Sequence, residues 1–398
     1  MTDLPAFPMP RGCPLDPPEE LAARRPIGRV RIWDGSTPWL ITRHDDVRAV
    51  LADSRFSSDP TKAGFPSQSP VSKYRRENSG GRSFLTMDDP EHARYRRMLV
   101  GEFTVRRIEA LRPLIVESVS DLLGEMAAGP NPVDFVRAFA LPLPSLVICH
   151  LLGVPYADHE LFQRLSSSML DATGDPADAL SAGKELGLYV HDLVKAKQAE
   201  PGDDLLSRLI DARLRTGELT SREVTSMAVL LLIAGHDTTM NQLGLGLAAL
   251  LRNPDQAKQL RETTDPGVIN GAVEELLRLL TITHFGRRRV ATEDVEIGGT
   301  LIKAGDGVIA AADIANRDPD VFADPDRFDP ARKPNRHVAF GFGVHQCLGQ
   351  PLARLELQLA FPALLRRFPD LRLAVDFDEI EFRAKLPIYG PTALPVTW

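Results

Sequence analysis

The sequence predicts a mainly α-helical chain with small β-sheets, folded as a single domain around an internal site. Three observations lead to this fold class. Apolar residues recur at helical spacing through most of residues 87–280, which is typical of amphipathic helices. Short segments on either side alternate apolar and polar residues between glycine-containing turns, a strand pattern. The stretch "MAVLLLIAG" lies in a helical segment that is apolar on almost every side, so we expect that helix in the centre of the fold.

Residues 1–56 form the predicted N-terminal arm and β-rich start. The segments "RVRIWDG" and "PWLITR" predict a hairpin, and "HDDVRAVLADSRF" predicts a short helix. Residues 57–86 are dominated by Pro, Ser and Gly. Loops of this length inside a compact chain are usually functional or mobile. We therefore expect either a flexible loop over a substrate or a disordered surface loop.

Residues 87–280 form the predicted helical part. The segment "DPEHARYRRMLVGEF" opens with Asp and Pro, a favourable helix start. Residues 104–126 follow as a long amphipathic stretch, and further helical patterns cover residues 157–173, 176–198 and 203–216. The central helix is preceded by "TSRE", a capping-box pattern.

Residues 281–398 contain predicted β segments, a glycine-rich loop around a cysteine, and the last helix. "RRRVATEDVEIGGTLIKAGDGVIA" is strand-like with glycine turns, and "LARLELQLAFPALLRRF" follows the cysteine loop as an amphipathic helix. The segments from "PDLRLAV" to "LPVTW" predict short closing strands.

Composition excludes several classes of protein. A net charge of −7 argues against a nucleic-acid binder, which normally carries a basic surface. The three cysteines make a poor disulfide framework and favour a reducing cytoplasm. We identify no signal peptide, and "MAVLLLIAG" is too short to cross a bilayer. We therefore expect a cytoplasmic protein that is not attached to a membrane.

The segment "FGFGVHQCLG" is the strongest candidate for a site of chemistry. Cys347 could be a hydrolase nucleophile with His345 as its base, a haem ligand, or a buried structural cysteine. Gly341, Gly343 and Gly349 remove side chains where the backbone must pass close to something flat. The helix that follows directs free N–H groups, and the positive end of its dipole, toward the sulfur, and such donors stabilise a thiolate.

The segment "AGHDTT" places polar residues in the middle of the predicted buried helix. A buried carboxylate such as Asp237 is costly unless it is paired or hydrogen-bonded. Thr238 can bond to the carbonyl of Ala234 and bend the helix, where Gly235 also removes a side chain. The segment is therefore either a kink with satisfied polar groups or a small polar groove for a diatomic ligand and water. We assign His236 no chemistry.

Two further pairs share a helix face. Glu275 and Arg278 stand at i and i+3 in "EELLR", and His92 and Arg96 stand at i and i+4 in "HARYRR". Each pair could also be an ordinary solvated surface pair, which contributes little to stability.

The pattern Phe340-Gly341-x-Gly343-x-His345-x-Cys347-x-Gly349 resembles the haem-thiolate loop of the cytochrome P-450 family. The resemblance implies the cytochrome P-450 fold, with haem b held between the long central helix and the helix after the cysteine. It implies that Cys347 is the proximal iron ligand and that His345 reaches a haem propionate.

The other motifs fit the same resemblance. Glu275 and Arg278 match the family's E-x-x-R and imply a structural role, with "FADPDRFDP" as the partner segment. Asp237 and Thr238 match the acid–alcohol pair and imply catalysis by proton delivery. The remaining implied haem contacts are His92, Arg96, Arg289, Phe340, Gly341, Gly349, Ala234 and Gly235. Arg287 and Arg288 leave the register of the strand arginine open.

The resemblance is strongest to soluble bacterial members from actinomycetes, and it implies a monooxygenase. We expect it to insert one oxygen atom from O2 into a bulky apolar substrate: a macrolide, polyene, other polyketide, terpenoid or steroid-like compound. The alternatives are epoxidation, desaturation or coupling, a haem-based sensor without turnover, and a cysteine hydrolase.

Electrons must come from other proteins, because no flavin or iron–sulfur motif is visible. We expect a ferredoxin and an NAD(P)H-dependent ferredoxin reductase as partners of a monomer. A basic docking patch is predicted from Arg97, Arg106, Arg107 and Arg354. The predicted substrate contacts are Leu85, Leu232, Ile233, Phe285 and Ile388.

Overall fold

The computed structural model describes residues 4–22, 26–78, 83–171 and 173–398. The α-helices of these residues are α1 (Glu19–Ala22), α2 (His44–Ala52), α3 (Pro70–Asn78), α4 (Glu91–Val100), α5 (Val105–Glu109), α6 (Arg112–Ala128), α7 (Pro142–Leu152), α8 (His159–Leu170), α9 (Pro176–Ala199), α10 (Leu205–Leu209), α11 (Ser221–Leu251), α12 (Pro254–Glu262), α13 (Pro266–Leu279), α14 (Ala312–Ala315) and α15 (Gln350–Arg367). The strands are β1 (Ile27–Arg29), β2 (Trp39–Ile41), β3 (Phe56–Ser57), β4 (Val133–Asp134), β5 (Arg287–Ala291), β6 (Val295–Ile297), β7 (Thr300–Ile302), β8 (Gly307–Ala310), β9 (Arg372–Leu373) and β10 (Pro395–Thr397). The predicted fold class, mainly helical with small sheets, is confirmed.

The central helix is α11, which spans 31 residues. The backbone N–H of Glu223 donates to Thr220 Oγ1 at 3.2 Å, and the backbone N–H of Thr220 donates to the Glu223 carboxylate at 2.7 Å. This capping box satisfies N–H groups that a helix end leaves without partners. α11 packs against α7 and α9, and its second half is almost entirely buried. The helix therefore crosses the apolar core from one side to the other.

Three sheets surround the helical core. The largest has the order β1-β2-β8-β5-β3. β5 and β8 pair antiparallel with Arg289 opposite Val308, whereas β2 and β8 run parallel. The other sheets are β4-β10-β9 and β6-β7. Because side chains alternate along a strand, Arg287 and Arg289 of β5 share one face and Arg288 lies on the other.

The hydrophobic core has one large and two smaller parts. The large part joins α6, α7, α11, α13 and α15, and a second part lies against the largest sheet. The third holds the N-terminal arm, where Phe7, Met9 and Leu21 pack against Leu40 and Ile309. This packing holds the N-terminal arm against the largest sheet.

The structure differs from the sequence-based expectation in two places. The segment 57–86 contains a helix, α3, whose first residue is Pro70, a favourable position for proline. Residues 79–82 of that segment lie outside the described residues. The stretch predicted as one helix over residues 104–126 is two helices, because Pro113 has no backbone N–H to donate to the carbonyl of Glu109, where α5 ends, and it lies instead in the first turn of α6.

The division of the chain into a single domain with the boundaries given above stays a prediction. Among the described residues, every helix is too short or too polar to act as a membrane span.

Candidate functional site

The cysteine loop is a tight backbone structure that needs glycine at two positions. Gly341 and Gly343 have φ angles of 74° and 73°, a region that glycine occupies without strain. A Cβ at Gly341 would lie 3.0 Å from Arg287 Nε, and one at Gly343 would lie 2.5 Å from the carbonyl oxygen of Leu51. These two glycines are therefore required by protein neighbours.

Gly349 is different, because a Cβ there would meet no protein atom within 4 Å. The backbone N–H of Cys347 donates to the carbonyl of Phe340 at 2.8 Å, which closes the loop just before α15. Gly349, two residues after Cys347, therefore leaves open space beside the loop.

Cys347 is a half-buried thiol surrounded by groups that favour its anion. Burial raises the pKa of the Cys347 thiol, while Arg287, the backbone N–H of Gly349 and Arg96 act in the opposite direction and favour the thiolate. A thiolate is the form that binds a metal. Among the described residues, no group of three His, Cys, Asp or Glu side chains could hold a metal ion. A metal at Cys347 would therefore have to bring most of its ligands with it, as a porphyrin does.

His345 does not act on Cys347. Its ring lies against that of His92, with 4.0 Å between the centroids, and no hydrogen bond joins it to Cys347 within the described residues. Burial, together with Arg289 and His92, lowers the pKa of His345 to about 3. This arrangement disfavours the cysteine-hydrolase alternative, which needs a base beside the thiol.

A cluster of cationic and imidazole groups lies beside the loop: His92, Arg96, Arg289 and His345. Arg96 donates to the carbonyl of Gln346 at 2.7 Å, and Arg289 donates to the carbonyl of Arg288 at 2.8 Å. Within the described part of the chain neither arginine has a carboxylate partner. Burial, followed by the charge of Arg287, lowers the pKa of Arg289 to about 10.

The histidine of this cluster on α4 is oriented by a carboxylate. His92 Nδ1 lies 3.0 Å from Asp89 Oδ1, which leaves Nε2 for another partner. Buried cations normally have counter-ions, so the cluster has the chemistry of a site for an anion with more than one charge.

The three arginines of β5 have three different surroundings. Arg287 is half-buried beside the cysteine loop, donates to the carbonyl of Ala339 at 3.1 Å and leaves Nε without a partner among the described residues. Arg288, on the other face, donates to the carbonyls of Pro66 and Ser67. Arg289 acts electrostatically on His345, and Arg287 acts on Cys347 from the same strand face. Arg289 therefore stays the predicted haem contact, and Arg287, which the sequence analysis left as an alternative, is a further candidate. The strand alternation was the signal that could have found it.

The polar segment of α11 lies at the middle of the helix. Thr238 Oγ1 donates to the carbonyl of Ala234 at 2.7 Å, and the Ala234 side chain is exposed. A Cβ at Gly235 would lie 2.6 Å from Ile148 Cγ1 of α7. The glycine is therefore explained by helix packing, whereas Ala234 marks the open side of α11.

Asp237 has a distant cationic partner, Arg383, whose guanidinium lies 3.5 Å from the carboxylate. Burial raises the pKa of Asp237, while His236 and Arg383 lower it. Arg383 belongs to the segment 381–391, which approaches α11 closely because a Cβ at Gly390 would lie 2.2 Å from Asn241 Oδ1. No local pattern marks Arg383 in the sequence, since only tertiary packing brings it to Asp237.

His236 joins two helices. Its Nδ1 lies 2.8 Å from the carbonyl of Leu232, and its Nε2 lies 3.0 Å from Ser166 Oγ of α8. The ring is buried against Phe162. It is a satisfied core histidine.

Glu275 and Arg278 are both completely buried and form a two-pronged ion pair, with both N···O distances 2.7 Å. Arg278 also donates to the carbonyls of Asn316 and Pro325. Glu275 also accepts from Arg332 Nε at 2.9 Å and from the backbone N–H of Asp329 at 3.0 Å. Each charge is saturated by protein groups, so this pair ties α13 to the segment before the cysteine loop.

A second network, half-buried, was missed by the sequence analysis. Arg354 of α15 holds Glu274 through two bonds of 2.6 and 2.9 Å, and His337 lies 3.0 Å from the same carboxylate. Burial would raise the pKa of Glu274, but His337 and Arg354 lower it to about 2. Arg354 therefore has a carboxylate partner in Glu274, and so does the exposed Arg107, whose guanidinium lies 3.5 Å from Glu102. Arg97 and Arg106 are also exposed.

The predicted substrate residues are dispersed. Leu85 is 56% exposed and Ile233 is half-buried, but Leu232 is only 1% exposed within the helical core, so the expectation that it lines a pocket is wrong. Phe285 is buried at the edge of a cavity, and Ile388 pairs with Thr283.

Comparisons with known proteins agree with one another. The family model for Cytochrome P450 matches residues 189–372. Cytochrome P450-SU2 from Streptomyces griseolus is 52% identical over 391 residues, covering 97% of this chain and 95% of that protein. Pentalenic acid synthase from Streptomyces avermitilis is 48% identical over 396 residues, covering 99% of this chain and 97% of that protein.

A solved structure gives the same answer for the fold. The mycinamicin VIII C21 methyl hydroxylase MycCI from Micromonospora griseorubida, bound to mycinamicin VIII, superposes with a TM-score of 0.93 at 42% identity. The superposition covers 99% of this chain and 100% of that one.

Proposed function

Because this chain belongs to the cytochrome P450 family, we propose that it is a haem b monooxygenase in which Cys347 is the iron ligand. Family membership makes it a haem-thiolate enzyme that acts on a small molecule with the help of redox partners. The assignment of individual residues and of haem b goes further, and it rests on the site.

The observation that carries this assignment is the pairing of one thiol with a cation cluster whose two arginines have no carboxylate partner among the described residues. Cys347 offers a metal ligand, and Arg96, Arg289, His92 and His345 offer donors to the two propionates of one porphyrin edge. The side-chain-free position at Gly349 leaves room beside the sulfur. The residues present therefore fit the group, which when bound supplies reductive O2 activation and oxygen insertion into C–H bonds.

The protein's own contribution to the reaction is proton handling on α11. We assign Asp237 to take up protons from the solvent side, where Arg383 holds its carboxylate. The Thr238 hydroxyl lies one residue on and already donates to the Ala234 carbonyl beside the open side of the helix. It can accept a proton from water and pass one on. Neither residue needs to bind substrate for this role.

The proposed substrate is a bulky apolar secondary metabolite, a polyketide such as a macrolide or polyene, or a terpenoid or steroid-like compound, and the proposed reaction is hydroxylation. Relatives named for pentalenic acid synthesis and for C21 methyl hydroxylation of mycinamicin VIII support this class. Epoxidation, desaturation and coupling use the same residues and would be distinguished by product structure.

We further propose that a ferredoxin, reduced by an NAD(P)H-dependent reductase, supplies electrons to a monomeric cytoplasmic enzyme. Arg97 is exposed on α4, and Arg106 and Arg107 are exposed on α5, which contacts α15. These cations would steer an acidic partner. Arg354 is removed from this patch because Glu274 binds it.

The test is the spectrum of the reduced protein with carbon monoxide. The parent protein should show the red-displaced Soret band of sulfur ligation. Cys347→Ala should lose that band, whereas Cys13→Ser, a half-buried cysteine elsewhere, should keep it. A natively folded parent protein without the band would overturn the proposal. NADH-dependent product formation with surrogate ferredoxin and reductase then separates an enzyme from a sensor.

A further inference from the structure

Two adjoining cavities lie between the N-terminal arm, α3 and the segment 381–391. The outer cavity has a volume of about 610 Å³, within the range of roughly 300–1,000 Å³ that binds small molecules. The inner one, about 50 Å³, has room only for a few non-hydrogen atoms. Gln68, Ser69 and Phe285 line both, so the cavities are neighbours. No residue of the cysteine loop lines either one.

The outer cavity is a largely apolar chamber with rigid walls. Pro10 and Pro14 of the arm, Trp33, and Phe382 and Tyr389 form much of its lining. Two cations also line it, but their situations differ. Arg11 is engaged by Asp313 at 3.5 Å, whereas Lys385 is exposed. The chamber suits an apolar molecule of moderate size.

The guanidinium of Arg75 on α3 lines the inner cavity. Arg75 NH1 donates to the carbonyl of Met169 at 2.7 Å, at the end of α8. Within the described part of the chain Arg75 has no carboxylate partner. Burial lowers the pKa of Arg75, and no neighbouring charge offsets this. A desolvated cation of this kind favours an anion when one is supplied.

Asp171 is the acidic residue that lines the same inner cavity. Its Oδ1 accepts the backbone N–H and the hydroxyl of Thr173, each at 2.8 Å, and this turn lowers the pKa of Asp171. The turn therefore fixes the Asp171 carboxylate through Oδ1, and among the described residues no ion pair joins that carboxylate to Arg75.

We propose that Arg75 is a specificity-determining residue that binds the carboxylate of an otherwise apolar substrate at the entrance to the enzyme. The carboxylate occupies the inner cavity and the apolar part lies across Phe285 into the outer one. Arginine suits this role because its planar fork binds a carboxylate through two bonds. The inference rests on the proposed function only in calling the ligand a substrate.

The segment 381–391 connects this entrance to the proton-handling residues. Pro387 lines the inner cavity, Phe382 and Tyr389 line the outer one, and Arg383 reaches Asp237. A ligand in the cavities therefore lies against the segment that also holds the acid of α11.

The experiment measures the affinity of the haem-loaded protein by calorimetry for decanoic acid, decanamide and 1-decanol. These three ligands share an apolar chain, and the amide offers a carbonyl oxygen without charge. The parent protein should bind the acid at least about tenfold more tightly than the amide at neutral pH, as expected for a charge-assisted bond. Arg75→Gln should reduce that preference to about twofold or less, and Arg75→Lys should keep part of it.

The matched control is Lys73→Gln, which removes an exposed cation from the same helix and should leave the preference unchanged. Asp171→Asn should strengthen binding of the acid by a few fold, since it removes a like charge. Equal affinity of the parent for acid and amide, or an unchanged preference in Arg75→Gln, would overturn the inference. The carbon monoxide spectrum of each variant separates this failure from failure of the proposed function, because a sulfur-ligated band with no acid preference rejects only the entrance site.

Discussion

Two groups of buried charges flank the cysteine loop, and they differ in whether the protein completes them. Around Glu275 and Arg278, each charged atom has a protein partner at hydrogen-bond distance. Around His92, Arg96, Arg289 and His345, Asp89 contacts His92, but within the described part of the chain the two arginines bind backbone carbonyls and no carboxylate. Both groups contain buried arginine, so residue type does not separate a structural network from a ligand site. The presence or absence of a counter-charge does.

The largest expected effect comes from breaking the completed network. Glu275→Gln leaves Arg278, Arg332 and their carbonyl partners with an uncompensated buried charge. The free energy of unfolding should fall by about 3–5 kcal/mol, measured by urea denaturation of the haem-loaded protein. Glu109→Gln is the control, because the Glu109–Arg112 pair is exposed and should change stability by less than about 1 kcal/mol. Similar losses in the two variants would refute the comparison.

Removing a cation from the cluster of His92, Arg96, Arg289 and His345 should weaken haem binding without destabilising the haem-free protein. Arg289→Leu should accelerate haem dissociation by about ten- to a hundredfold, since a charge-assisted contact is lost, while the haem-free protein keeps or gains stability because a desolvated cation is gone. Haem transfer to an excess of apomyoglobin measures the first quantity and thermal melting of haem-free protein measures the second. A haem-free variant that melts well below the parent would assign Arg289 to the fold instead.

The network of Glu274, Arg354 and His337 can be tested by the dependence of protein stability on pH. The folded-state pKa of Glu274 is about 2, below the ordinary 4.5, so its contribution is fully present above about pH 4.5 and is lost as pH falls toward 2. The shift corresponds to stability on the order of 2–3 kcal/mol. Glu274→Gln should lower the stability at neutral pH and flatten its dependence on pH within that acid window. An unchanged slope between parent and variant would contradict the assignment.

The Asp237–Arg383 contact lies between the two cases, since Asp237 has a charged partner but the single ion pair, at 3.5 Å, satisfies the carboxylate only in part. Burial raises the pKa of Asp237 and Arg383 opposes this, so Arg383→Gln should raise that pKa further. Product formed per NADH should fall by about two- to tenfold, and its pH dependence should shift to higher pH. Arg383→Lys should restore most of both. Identical pH profiles for parent and Arg383→Gln would make the contact incidental.

Much of the fold and the main site residues could be predicted because their signals are local. The glycine spacing around Cys347 reflects backbone angles that glycine adopts most easily. The start of α11 reflects a capping box of adjacent residues. The pairs Glu275–Arg278 and His92–Arg96 follow from helical periodicity. The acid and the alcohol of α11 stood out because polar residues are rare in a buried helix.

Other features could not be predicted from the sequence, because they depend on contacts between distant segments or on which face of an element is buried. Arg383 reaches Asp237 across 146 residues, and Arg354 reaches Glu274 across 80. Arg287 required the strand face to be known, and Leu232 required knowledge of which side of α11 faces the core. The helix α3 lies in a segment whose proline and serine content predicts irregular structure, yet Pro70 begins it.

The amino-acid order alone was therefore enough to predict the helical fold class and to name the thiol, the acid–alcohol pair and the first cations as candidates, since each signal depends on neighbours within one or two helical turns. Three-dimensional packing decided which charges obtain partners, because counter-ions, carbonyls and cavity walls come from distant segments. The presence or absence of a carboxylate partner separates the scaffold at Glu275 from the candidate site at Arg289. Among the described residues, Arg75 also has no carboxylate partner, and it lines the inner cavity.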